Sequence, residues 1–157
     1  MSIGFQVILA MPETKDLPKR KVVLGFDFGL RNIGVAVGQS ITNTASPLTT
    51  LKATDGIPNW KEIEALIEEW KPSDIVVGVP LSLEGNPEPI AFNARKFMNR
   101  LRSWYHLPVH EVDERLTSWE AKERLESLPH RKVKSKNEIH AISAVVIVEQ
   151  WMKGVRH

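Results

Sequence analysis

The segment "DIVVGVP" (Asp74–Pro80) constrains the fold more than any other stretch. Its apolar residues run without alternation, the pattern of a strand buried on both faces. It lies between two segments of helical periodicity. Upstream, "NWKEIEALIEEWKP" sets Trp60, Ile63, Leu66, Ile67 and Trp70 on one stripe, and Pro72 blocks continuation. Downstream, Pro89 suits a first helical turn, and Ile90, Ala94, Phe97, Leu101 and Trp104 mark the buried face of the next helix. Strands that alternate with helices in this way make an α/β domain, with crossovers that require parallel pairing in the later strands.

The rest of the chain reads consistently with that frame. Val22–Asp27 is β-branched and apolar, hence a strand, and Phe28–Asn32 is a turn. Ile33–Gly38 returns as the second strand of a hairpin, and Pro47–Leu51 is a third, weakly patterned strand. "LPVHEVDER" is the fifth. "TSWE" at Thr117–Glu120 fits a capping box, with Ala121, Leu125 and Leu128 continuing a helical stripe. Asn137 can cap the last helix, "EIHAISAVVIVEQWMK", which is apolar on most sides and therefore must lie buried on the sheet. In such sheets ligands gather beyond the carboxyl ends of strands. Asp27, Asp113 and Glu114 all fall at such ends.

Composition excludes whole classes of function. With 42% hydrophobic and 25% charged residues, the 157-residue chain is neither disordered nor fibrous. No run approaches the roughly 20 apolar residues that cross a bilayer, so no membrane role is expected. Residues 1–20 read as an extension or extra edge strand, 21–153 as one domain and 154–157 as a tail. Without an export signal the cytoplasm is the default. The absence of cysteine excludes disulfides, thiolate catalysis and zinc–thiolate sites. Net charge is only +2, but it is unevenly spread. "NARKFMNRLR" carries Arg95, Lys96, Arg100 and Arg102, and "HRKVKSK" carries Arg131, Lys132, Lys134 and Lys136, with no acid in either. Both runs could contact phosphates or simply be solvated surface. The tryptophans mostly occupy apolar helix positions and read as core.

Asp27, at the end of an apolar strand, admits three readings. It could be a turn former, a hard oxygen ligand for magnesium or manganese, or part of a phosphate loop. The triplet "DFG" matches the magnesium-binding letters of protein kinases, but the chain is too short for one and has no "HRD" loop upstream.

Four motifs occur in order: "FDFGLRNIGVAVG", "VVGVPLSLEGNPEPIAFNARKFMNRL", "VDERLTSWEA" and "NEIHAISAVVIVEQW". Together they resemble the YqgF/RuvX family of pre-16S rRNA nucleases, also described as Holliday-junction-resolvase-like. The likeness runs from about Lys21 to Met152, and "DERLTS" after an apolar strand is its most specific element. It implies a ribonuclease-H-like fold: a five-stranded mixed sheet, the first three strands antiparallel, flanked by helices. It also implies acidic residues at the carboxyl edge that bind a divalent metal, Mg2+ or Mn2+. By motif these are Asp27 and Glu114. The third position, usually Asp, is His140 here. Histidine can still ligate through a neutral ring nitrogen, but losing an anionic oxygen should weaken magnesium and favour manganese. Glu138 lies about 200° around the helix from His140 and should not point to the same place.

The resemblance implies metal-assisted phosphodiester hydrolysis leaving 3′-hydroxyl and 5′-phosphate ends. Catalytic and metal-binding roles would fall to Asp27, Glu114 and His140. Substrate contacts are expected from Arg31, Asn86, Arg115, Thr117, Ser118, Arg131, Lys132 and Lys134, with the Arg131–Lys136 loop as a phosphate clamp. The implied partners are precursor rRNA, branched DNA and the pre-30S ribosomal particle, engaged by a monomer or homodimer. Two rivals remain beside the rRNA nuclease: a junction resolvase, and a weakly catalytic RNA-binding assembly factor. An actin-like phosphate module would need a second domain for which the chain has no room.

Overall fold

The computed structural model describes residues 21–80, 89–113, 123 and 136–154. Their strands form one sheet in the order β4-β3-β2-β1-β5-β6. β1 (Val22–Asp27), β2 (Asn32–Gln39) and β3 (Thr44–Thr54) pair antiparallel, as implied for the first three strands. β5 (Asp74–Val79) joins β1 in parallel, and β6 (Val109–Asp113) joins β5 in parallel. The sheet has six strands rather than five. The addition, β4 (Ile57–Pro58), is a two-residue return from β3, too short to leave a pattern in the sequence. Asp55 and Gly56 make the turn with φ of 53° and 82°, the paired left-handed conformations of a tight hairpin that Asp-Gly accommodates. β3 is also longer than Pro47–Leu51. It pairs Val35 with Thr49 but Ala36 with Pro47, so Leu48 is a bulge that hides the alternation.

Helices cover both faces. α1 (Trp60–Trp70) and α2 (Pro89–Tyr105) pack on one side, over Leu24, Phe26, Ile33, Val35, Ile75 and Val77. α3 (Lys136–Gly154) lies on the other, over Val23, Ala36, Val76 and Val112. Ala144–Val148 are buried without interruption, which is why this helix is apolar on most sides. It begins one residue ahead of the expected cap, Asn137.

α1 is bounded by local chemistry. Asn59 caps it, its Oδ1 accepting from the Lys61 N–H at 3.0 Å. At the other end Lys71 takes a left-handed conformation and donates to the Ile67 carbonyl, and Pro72 prevents another turn. Asn59→Ala should cost about 1 kcal/mol through the lost cap. Urea denaturation would show this as a lower midpoint with an unchanged slope.

The stripe assigned to α2 needs one correction. Ala94, Phe97 and Leu101 are buried, but Trp104 is 52% exposed. It stays on the same helical face as Phe97, yet there that face meets the Trp60 indole edge-on, at 4.9 Å, and not the sheet.

Candidate active site

Strand parity decides where Asp27 points. Val23 packs under α3, and a Cβ at Gly25 would run into Val148 of α3. Successive odd positions of β1 share a face, so Asp27 faces the α3 side. It is the last residue of β1 and is partly buried.

Its neighbours on both sides are glycines. Asp27 pairs with Gly34 of β2 and with Gly78 of β5. Gly34 pairs in turn with Thr50 of β3, giving a row Gly78–Asp27–Gly34–Thr50 across the carboxyl edge. Two residues without side chains leave the space around the carboxylate to whatever descends from above.

What descends is the N-terminal end of α3. A Cβ built at Gly34 would overlap the His140 carbonyl and stand 2.9 Å from the Ala141 nitrogen. The His140 backbone therefore rests on Gly34, whose Cα is about 5 Å from that of Asp27. Asp27 and the backbone of His140, more than a hundred positions apart in the chain, are brought near each other through one glycine. Glu138 lines a hollow of about 370 Å³ with Pro47, Thr50, Ala141 and Ile142, on the β3 side of the helix. Thr50 lies two strands, roughly 10 Å, from Asp27.

β6 extends the same logic. His110 and Val112 face α3: the His110 ring stacks on Trp151 at 4.8 Å, and Val112 joins the α3 cluster. Val109 and Glu111 face α2, Glu111 pairing with Arg95. Asp113 falls on the α2 parity, away from the Asp27 face. Glu114, Asn86, Arg115, Thr117, Ser118, Arg131, Lys132 and Lys134 lie outside the described residues. Among the described residues, no group of three or more His, Asp or Glu side chains could hold a metal ion. The Asp27 carboxylate and the backbone of His140 meet at this glycine floor, and carboxylate and imidazole are donor types that suit a divalent cation, given one further oxygen ligand.

Arg31 is exposed in the β1–β2 turn. Its carbonyl accepts from the Ala53 N–H, and the Leu30 carbonyl accepts from the Gly56 N–H, so the β3–β4 hairpin braces this turn. Arg31 lines a hollow with Lys52, Asp55 and Ile57.

The basic run on α2 divides in two. Arg95 makes a two-point pair with Glu111, at 3.0 and 3.2 Å. That hydrogen bonding, and then the charge of Glu111, holds the guanidinium pKa above its ordinary value. Arg102 donates to the Asn99 side chain and the Val109 carbonyl. Lys96 and Arg100 instead line a groove of about 470 Å³ with Trp60, Asn93 and Asp55. Sequence reading missed Thr50, Gly78 and this groove. An i+4 row of basic residues was its only available signal.

Comparison with known proteins identifies the family and the fold. The family model described as "RuvX: Holliday junction resolvase" matches residues 21–154. The chain belongs to the RuvX family. A RuvX relative from Shewanella oneidensis is 50% identical over 134 residues, covering 85% of this chain and 95% of its own. One from Haemophilus ducreyi is 51% identical over 129 residues, covering 82% and 94%. Both carry the name of a candidate pre-16S rRNA nuclease. Among solved structures, T. thermophilus RuvC in complex with Holliday junction substrate superimposes with a TM-score of 0.55. It is 14% identical and covers 86% of this chain and 97% of its own. The yeast mitochondrial Holliday junction resolvase Ydc2 gives 0.53 at 10% identity, covering 93% and 84%. These likenesses show a ribonuclease-H-like fold for this chain.

Proposed function

We propose that this chain is a divalent-metal-dependent nuclease that processes the 5′ end of precursor 16S rRNA in the cytoplasm, in the context of the pre-30S particle. The observation that supports it most is the placement of Asp27. A carboxylate ends the central strand between two glycines, directly beside the backbone of His140. A carboxylate at the end of an otherwise apolar strand, flanked by residues that carry no side chain, contributes little to packing and suits a site instead. The names borne by its relatives give the substrate class.

Asp27, His140 and, by the family resemblance, Glu114 would hold Mg2+ or Mn2+. When bound, the metal supplies the positive charge that activates water and stabilises the leaving oxygen of a phosphodiester. The chain's own part is positional. Pairing on both sides of β1 holds Asp27 rigid, and the contact on Gly34 fixes the height of His140 above the sheet. Arg31, in the turn that follows, is set to meet a substrate phosphate. Asn86, Arg115, Thr117, Ser118, Arg131, Lys132 and Lys134 would contribute further contacts.

A second reading, cleavage of branched DNA, is favoured by the family description and by the shared fold with resolvases of four-way junctions. One assay separates the two. Purified protein is offered a precursor 5′ leader RNA and a four-way DNA junction, with magnesium or manganese, against a chelator control. Cleavage of the RNA, lost in chelator, is the expected result. Cleavage of the junction alone establishes the resolvase. Cleavage of neither, with RNA still bound, establishes a binding factor. In the same assay His140→Asp should raise the magnesium rate relative to the manganese rate, because magnesium prefers an oxygen ligand over imidazole nitrogen. An unchanged ratio would remove His140 from the metal site.

A further inference from the structure

The groove between α2 and the β3–β4 turn has no role in the chemistry just proposed. Its lining mixes rings with cations: Trp60 and Phe97, Lys96 and Arg100, together with Asn93, Asn99 and the carboxylate of Asp55. The other two arginines of this helix are engaged at its far side, by Glu111 and by the Val109 carbonyl. Lys96 makes no ion pair among the described residues, and Arg100 lies over the Trp104 ring at 5.6 Å.

The rim is more telling than the hollow. Phe92, Lys96, Arg100 and Trp104 follow one another at intervals of four along α2. Such residues form one ridge with a rise of about 6 Å per step. Its two ends are aromatic and open to solvent, Phe92 at 68% and Trp104 at 52% exposure. Its middle is cationic. Exposed rings flanking a pair of cations suit a strand whose bases are free to stack and whose phosphates need neutralising. A duplex keeps its bases stacked inside and would leave both rings without a partner. An acidic peptide would use the cations alone.

The groove also leads somewhere. Asp55 and Ile57 line both it and the neighbouring hollow that holds Arg31 and Lys52. Arg31 lies four residues beyond Asp27, in the turn that leaves the carboxyl edge. We propose that the groove and the Phe92–Lys96–Arg100–Trp104 ridge bind an unpaired segment of nucleic acid and pass it over Arg31 and Lys52 to the Asp27 edge. Only the direction of the strand rests on the nuclease reading.

Binding is measured by fluorescence anisotropy on the full chain, in chelator so that nothing is cut. The probe is a labelled oligouridylate of about 12 nucleotides, within the span such grooves cover. A duplex of equal length is the comparison. The single strand should bind more tightly. Replacing both cations, Lys96→Ala with Arg100→Ala, should weaken it by about tenfold or more and flatten the logarithmic salt dependence by about 1.4, roughly 0.7 for each cation. Trp104→Ala should weaken it about fivefold or more through lost stacking, with the salt dependence unchanged. Arg95→Ala should matter far less. Photocrosslinking of a 5-iodouridine strand to wild-type protein should mark the peptide that carries Trp104, which needs no variant to fold.

Wild-type affinity in the double variant, preference for the duplex, no nucleic-acid binding, or adducts only elsewhere would each overturn the proposal. So would sedimentation showing that the ridge instead joins two copies of the chain. The two readings fail separately. Loss of ridge binding with Asp27-dependent cleavage intact sinks the groove alone, while ridge binding without any cleavage sinks the nuclease alone.

Discussion

Asp27→Asn is expected to abolish cleavage while leaving the protein folded and able to bind RNA. The substitution keeps the size of the side chain and removes only its charge. A neutral amide is a poor ligand for a hard cation, so the rate should fall by at least the roughly 10²–10³-fold seen when one charge-stabilising group is removed from an active site. Stability should be unchanged or rise by up to about 1 kcal/mol, because site residues are commonly held at some cost to the fold. The glycines at positions 34 and 78 matter here, since neither offers a side chain that the amide could clash with. Thermal melting, RNA binding in chelator and cleavage rates should be read on one preparation. Retention of more than a small fraction of the wild-type rate would show that Asp27 is a turn residue after all.

Gly34→Ala is the second large effect, and it acts on the fold and the site together. The added methyl meets backbone on the opposing helix, the His140 carbonyl and the Ala141 nitrogen, and backbone cannot rotate aside. The N-terminal end of α3 must lift. Overpacking of this kind costs about 1–3 kcal/mol, and the rigid obstacle puts this case at the upper end. For a domain of this size that is a fall in Tm of roughly 5–10 °C. Gly38→Ala is the matched control on the same strand and face. The atoms nearest its methyl would be side-chain atoms, of Val148 and Met152, which can shift more readily than backbone. It should be clearly the milder of the two. Gly34→Ala should also lose activity beyond its loss of stability, measured well below its Tm, because His140 moves away from Asp27. Equal stabilities for the two variants would mean that α3 is not seated on Gly34.

The layered fold was legible because its signals are strong and local. Ile75–Val79 is apolar throughout since helices cover both its faces, and α3 is apolar on most sides since it lies on the sheet. Stops such as Pro72 and starts such as Pro89 act within one turn, so they need no tertiary information. The two-residue β4 and the Leu48 bulge were not legible, because pairing with a neighbour creates them and periodicity does not. Trp104 was misplaced for a related reason. A helical stripe shows which face a residue shares, but not whether the sheet extends far enough to cover it.

The site divides in the same way. Asp27, Glu114 and His140 are candidates by motif order alone, and strand parity alone sets Asp113 on the α2 side of the sheet. That Gly34 is the floor on which α3 brings His140 toward Asp27 depends on register and on the closest approach of two backbones, neither of which a one-dimensional pattern records. The fates of the α2 cations depend likewise on what β6 and β4 bring beside them. Glu111 takes Arg95, while Lys96 and Arg100 open onto a groove that exists only because the Asp55–Gly56 turn folds back against α2. The sequence by itself determined the elements, their order and the residue types able to do metal chemistry, because these follow from local sterics and burial. Tertiary structure decided which of those residues share a space, because that is set by contacts between segments whose separation along the chain leaves no local trace.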